Sequence, residues 1–148
     1  MFFQTVGDGS AGEIGLRSVR NSTTRTSTVT IAAGTPIVLE TATASANGGW
    51  VRQALTSTAV DNNLYIGNAH AALNPDSVGL VQSYGVDTDA VVATAGASVG
   101  AVLVPNIGTL VTAGTTVTPG IATSKNVVVL VAPSGATQAA TSVLVQAL

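Results

Sequence analysis

The sequence contains no cysteine and almost no charge. The first absence excludes disulfide staples, thiolate nucleophiles and cysteine-bound metal centres. The second is more unusual, because only 8% of the 148 residues are Asp, Glu, Lys or Arg, against about 25% in an ordinary soluble domain. Aromatics are also scarce: Trp50, Tyr65 and Tyr84 are too few and too scattered to form a platform for stacked bases. A pI of about 4.9 argues further against direct nucleic-acid binding. The longest apolar run, VVVLVA at 127–132, falls far short of the roughly 20 residues of a membrane-spanning helix. The opening MFFQTVGDGSAGEIG has neither a basic segment nor an apolar core of the secretory kind. The chain therefore reads as soluble, with no membrane partner.

What replaces charge is a surface vocabulary of Thr, Ser, Ala, Gly and Asn. Such residues suit burial against other subunits, since they lose little side-chain entropy and leave no unpaired charge when water is expelled. Composition thus points to a component of an assembly. The few charges are unevenly placed. Residues 1–25 carry Arg17, Arg20 and Arg25 against Asp8 and Glu13, a balance of +1, whereas the remainder has a balance of −3. Residues 1–25 also hold four glycines, Gly7, Gly9, Gly12 and Gly15, and no sustained periodicity. They read as a flexible, extended N-terminal arm, either a frayed terminus or a segment that orders on a neighbouring subunit with Phe2 and Phe3 as apolar anchors and the three arginines facing an acidic patch.

Beyond the arm, residues 26–148 read as one compact domain made of short β-rich runs separated by turn signals. Candidate strands fall at 28–31, 36–40, 50–53, 64–67, 78–84, 90–93, 101–104, 109–111, 127–131 and 142–146. Asn47-Gly48-Gly49 is a strong turn signal because Asn and Gly tolerate positive φ. Strands so closely spaced leave no room for the helical crossovers of a parallel α/β sheet. The expected fold is all-β, a small barrel-like or sandwich domain with at most one short helix, for which 56–62 is the best candidate.

The search for chemistry returns little. His70 is the only histidine and so the only side chain suited to proton transfer near neutrality. Asp76 and Ser77 could complete a triad on paper, but no nucleophile elbow G-x-S-x-G occurs. Neither G-x-G-x-x-G nor a phosphate-binding G-x-x-x-x-G-K-[ST] loop is present. The stretch SVGLVQSYGVDTDAVV at 77–92 places Asp87 and Asp89 two residues apart. A calcium site would need six to eight oxygens and a fuller loop motif, so the pair reads as a solvated turn after Gly85. In the strand before it, Val78, Leu80 and Gln82 alternate with Gly79, Val81 and Ser83. With apolar positions on both faces, one face should meet the core and the other a neighbouring subunit, and Val81 is the residue assigned to that contact. The expectations are accordingly no catalytic residue, no metal and no cofactor.

The order of motifs resembles a known family. Ala33-Gly34-Thr35-Pro36-Ile37-Val38, Gly79-Leu80-Val81-Gln82-Ser83-Tyr84-Gly85, Val99-Gly100-Ala101-Val102-Leu103, Gly108-Thr109-Leu110, Gly120-Ile121-Ala122 and Val143-Leu144-Val145 look like the series in head decoration, or capsid cement, proteins of tailed bacteriophages. The resemblance covers roughly residues 30–148 through degenerate, glycine-led motifs. It implies a compact β-barrel-like body, commonly a homotrimer, on the outer surface of the virion. It also implies the major capsid protein and neighbouring copies of the same chain as partners, and the host cytoplasm as the location before assembly. The rival from another class is a receptor-binding or fibre-associated β domain of a phage tail.

Overall fold

The computed structural model describes residues 3–7, 13–22, 30–41, 49–54, 63–95, 97–113, 126–135 and 137–147. The helix candidate at 56–62 lies outside them, and every element named among the described residues is a strand. The strands are β1 (Phe3–Gly7), β2 (Glu13–Asn21), β3 (Pro36–Leu39), β4 (Trp50–Gln53), β5 (Tyr65–Ala69), β6 (Val78–Ala93), β7 (Val102–Asn106), β8 (Thr109–Thr112), β9 (Asn126–Val129) and β10 (Gln138–Gln146). The fold is all-β, as expected. Of the ten runs read from the sequence, 28–31 is reduced in its described part to a single bridge between Ile31 and Leu73, and 78–84 and 90–93 are two ends of the same strand.

All ten strands belong to one sheet in the order β1-β2-β4-β3-β5-β6-β10-β9-β7-β8, and extra pairings of β6 with β2 and with β8 close it twice. One ring consists of β2, β4, β3, β5 and β6; the other consists of β6, β10, β9, β7 and β8. The 16-residue β6 is common to both. Its first half runs antiparallel to β2 from Val78 to Tyr84, and its second half runs antiparallel to β10 from Tyr84 to Ala93. Pro105 is tolerated in β7 because it lies past the two positions, Val102 and Leu103, where β9 pairs with that strand.

Two hydrophobic clusters are formed by the described residues. One gathers Val19, Ile31, Ile37, Val51, Ile66, Ala69, Leu73 and Val81. The other gathers Val38, Tyr65, Val92, Leu103, Leu110, Val127, Val129, Val143 and Val145, with smaller neighbours. Successive residues of β3, Ile37 and Val38, go to different clusters, as do Tyr65 and Ile66 of β5. These two strands form a wall with core on both faces, which is why they read as short continuous apolar runs without alternation.

Two expectations are corrected here. Glu13–Asn21, assigned to a free arm, is built into the sheet: β2 pairs with β6 at Gly15, Leu16, Arg17, Ser18, Val19 and Arg20, and Leu16, Val19 and Asn21 are buried. The alternation that would have marked this strand is broken by a register shift between Gly15 and Leu16, so its apolar residues fall on both parities. Deleting 1–25 would remove a wall of the first ring. The second correction concerns Asp87 and Asp89. The chain does not turn after Gly85; β6 continues through both aspartates, and a bulge opposite Ser142, between Thr141 and Val143 of β10, absorbs the extra residue. Before the bulge the odd-numbered residues of β6 point inward, as at Val81, Ser83, Gly85 and Asp87, and after it the even ones do, as at Ala90 and Val92.

Candidate partner interface

The outward face of β6 carries the larger side chains. Val78 is 68% exposed, and Leu80, Tyr84 and Val86 are each between 37% and 38% exposed. The inward positions of the same strand include Gly79, Ser83, Gly85 and Ala90. This inversion follows from the rings. A five-stranded ring is narrower than the roughly eight-stranded barrel whose interior side chains just fill, and beside Val81 and Val92 the small inward residues of the shared strand suit that limited space.

Directly paired residues share a face, so the register extends this surface onto both neighbours. Ser18 lies opposite Leu80 and Arg20 opposite Val78 on β2. Leu144 lies opposite Val86 and Gln146 opposite Tyr84 on β10. Leu16 and Gln82 are paired on this face too, and both are buried. Among the described residues along it, the exposed charges are Arg20 at one end and Asp89 at the other, with Asp76 on the turn before β6. Arg20 is held in place: its Nε donates to the Asp76 carbonyl at 3.1 Å, and its guanidinium lies 4.8 Å from the centre of the Trp50 ring.

A second group of exposed apolar residues lies in the other ring. Val99 and Val102 are brought beside Leu130 and Val131 by hydrogen bonds from Gly100 N–H to the Val129 carbonyl and from Val129 N–H to the Ala101 carbonyl, at 2.9 and 3.0 Å. Ile107, 66% exposed, occupies the tip of the β7–β8 hairpin next to Gly108, whose φ of 65° permits the tight reversal.

The residues assigned to partner contact from sequence are dispersed. Phe2 and Arg25 lie outside the described residues. Phe3 opens β1, its backbone paired with Arg17. Arg17 is half-buried, and its Nε is shielded from solvent without a hydrogen-bond partner among the described residues. Arg20 is exposed, as a contact residue must be. Val81 is the clear correction: it is 0% exposed and belongs to the first core cluster, so it cannot face a neighbour. β6 turns one face to the core and the other outward, but the two faces are the reverse of those expected, because bulky residues normally mark the inward side.

His70 is exposed, with its backbone N–H bound to the Leu80 carbonyl, and Ser77 Oγ donates to the Asn74 carbonyl at 2.6 Å. Among the described residues no three His, Asp or Glu side chains are grouped to hold a metal. The Asp87 carboxylate is buried in a polar chain at the junction of the rings. Tyr65 Oη donates to Asn68 Oδ1 at 2.9 Å, Asn68 Nδ2 donates to Asp87 Oδ2 at 2.8 Å, and the Asp89 backbone N–H donates to Asp87 Oδ1 at 3.0 Å. Both carboxylate oxygens are thus engaged, as a buried carboxylate requires.

Burial, and then the nearby Asp87 charge, push the Tyr65 phenol well above its ordinary value of 10. An acid whose folded pKa is raised keeps its proton in the folded state after the unfolded chain has lost it. Its contribution to stability is therefore intact below pH of about 10 and declines as pH rises from there. Tyr65→Phe is expected to flatten that alkaline decline while lowering neutral-pH stability by about 1–3 kcal/mol, because Asn68 Oδ1 loses its donor. Urea unfolding of both proteins from pH 7 to 11 measures it; parallel curves would show that Tyr65 is not the group responsible.

Comparison with protein-family models, with curated proteins and with solved structures gave no match.

Proposed function

We propose that this chain is a structural virion protein that binds the outer surface of a tailed-phage capsid and stabilises the shell by clamping adjacent major capsid proteins. The observation that carries the reading is the combination of a charge content of 8% with bulky apolar side chains turned outward at two separate places, the β6 face and the 99–102 and 130–131 group. Exposed apolar patches rimmed by uncharged polar residues mark surfaces that bind protein. Two such surfaces suit two kinds of partner, a neighbouring copy of this chain at one and a major capsid protein at the other, so that joined copies bridge adjacent capsid proteins. The resemblance to head decoration proteins supplies the shell as partner, and the all-β body accords with what that resemblance implies.

The proposed action is linkage. A protein that binds the assembled lattice and not its dissociated subunits shifts the equilibrium toward the shell, by about 2.7 kcal/mol per site at a free concentration one hundred times the dissociation constant. Many copies on a symmetric shell add avidity to modest single contacts. Electron microscopy of virions that carry this chain tests the proposal. Density for the two-ring body on the outer face of the head is the expected result. Density confined to the tail would overturn the proposal in favour of a fibre-associated or receptor-binding domain.

A further inference from the structure

We infer that the outward face of β6 is a self-association surface on which a second copy of this chain packs by a two-fold rotation, with the two β6 strands antiparallel and Tyr84 beside the axis. This deepens the reading of that face as an interface and rests on it.

Two features select a copy of the same chain as the occupant. The face is self-complementary: Val78 and Leu80 on one side of the buried Gln82, and Tyr84 and Val86 on the other, lie in one row, bordered on the adjoining strands by Ser18, Leu144 and Gln146. An isologous contact stacks such a row on itself, and two-fold dimers are the commonest closed assemblies. The row also has Arg20 opposite Val78 near one end and Asp89 near the other, both exposed.

Two face-to-face two-fold arrangements are possible. If the strands run parallel, Arg20 meets Arg20 and Asp89 meets Asp89. If they run antiparallel, each Arg20 lies toward the partner's Asp89. Opposite charges at the ends of an interface set orientation more than affinity, so the antiparallel arrangement is selected. Asp76 is exposed at the Arg20 end and tempers the effect without reversing the preference, because in the antiparallel arrangement Asp89 still avoids its own copy. The midpoint between Val78 and Asp89 falls between Ser83 and Tyr84. Tyr84 is therefore the central residue, and tyrosine is among the side chains that dominate interface energetics.

The size of the surface sets the strength. The stretch of β6 from Val78 to Asp89, at about 3.3 Å per residue and a width of about two strands, gives roughly 400 Å² per copy. That lies at the weak end of specific interfaces, so dissociation in the micromolar range or above is expected.

Because the chain has no cysteine, a single engineered thiol reports the axis directly. Because sheets packed face to face stand about 10 Å apart, too far for a direct disulfide, a short bis-maleimide is the probe: Tyr84→Cys is expected to crosslink chain to chain, whereas Val78→Cys alone should not and Val78→Cys combined with Asp89→Cys should. Light scattering of the unaltered chain up to about 1 mM should approach twice the chain mass. Arg20→Asp or Asp89→Arg alone should weaken association, each several-fold, and the double exchange should restore it. The inference is overturned by a mass that stays at one chain or approaches three, by crosslinking at Val78→Cys as readily as at Tyr84→Cys, or by a double exchange no better than the singles. Circular dichroism confirms folding of each exposed variant. A dimer that leaves virion heads unoccupied would sink the capsid proposal alone, and head occupancy by monomers or trimers would sink this contact alone.

Discussion

Val81→Asp is expected to leave no folded protein at 25 °C. Val81 is fully buried in the first core cluster, in register with Arg17 on β2 and Ala69 on β5. The new carboxylate would either ionise in an apolar ring or remain protonated with its hydroxyl and carbonyl in need of partners. Losses of more than about 4–5 kcal/mol accompany changes of this kind, and a typical domain has only about 5–15 kcal/mol in total. Soluble expression, circular dichroism and urea unfolding measure the outcome. A stable variant with altered assembly would return Val81 to the surface and contradict the packing described above. Leu80→Asp, one residue away on the outward face, should fold nearly as well as the parent, so the pair separates core from surface on a single strand.

Gly67→Ala is the second large effect. Gly67 has φ of 135°, and a Cβ there would stand 2.0 Å from the Gln82 carbonyl oxygen, 2.7 Å from its carbon and 2.9 Å from Val81 Cγ1. The obstruction is mostly backbone, so relief requires β5 and β6 to part at the point where the wall between the two cores joins the shared strand. Backbone strain and overpacking together should lower stability by about 3–5 kcal/mol. Gly100 supplies the control. Its φ of 83° is similarly unfavourable for alanine, yet nothing lies within 4 Å of the added atom, so Gly100→Ala should lower stability by only about 1 kcal/mol. Urea midpoints at a constant slope give the comparison, and equal losses at the two glycines would rule out the close approach of β5 to β6.

These contrasts show where the amino-acid pattern was informative. The β character of the chain, the strand at 50–53 and the approximate positions of β3, β5, β7, β8 and β9 follow from β-branched runs between Gly, Pro and Asn signals. Three features were hidden by long-range pairing. The strand through Asp87 and Asp89 looked like a turn because Gly85 and two aspartates are turn residues; only the continuous run of β10 alongside, together with Asn68 reaching Asp87, makes that segment extended. β2 looked like an arm because its apolar residues change parity at a register shift. The faces of β6 are the reverse of what its pattern suggests, because Gly79, Ser83 and Gly85 lie on the inward side with Val81 while Leu80, Tyr84 and Val86 point away. Each of these is a property of the partner strand, and local patterning carries no record of it.

The shared strand also bears on how the molecule comes apart. β6 gives its first half to one ring and its second half to the other, and β3 and β5 present one face to each core. A subunit in which two walls are held in common has no seam along which one ring can open while the other stays closed. Its rings should therefore be lost in a single cooperative step, and its formation must wait until residues 126–146 meet a strand made some 50 positions earlier. Such long-range closure makes for slow folding. The same interdependence makes the finished body resistant to piecemeal fraying.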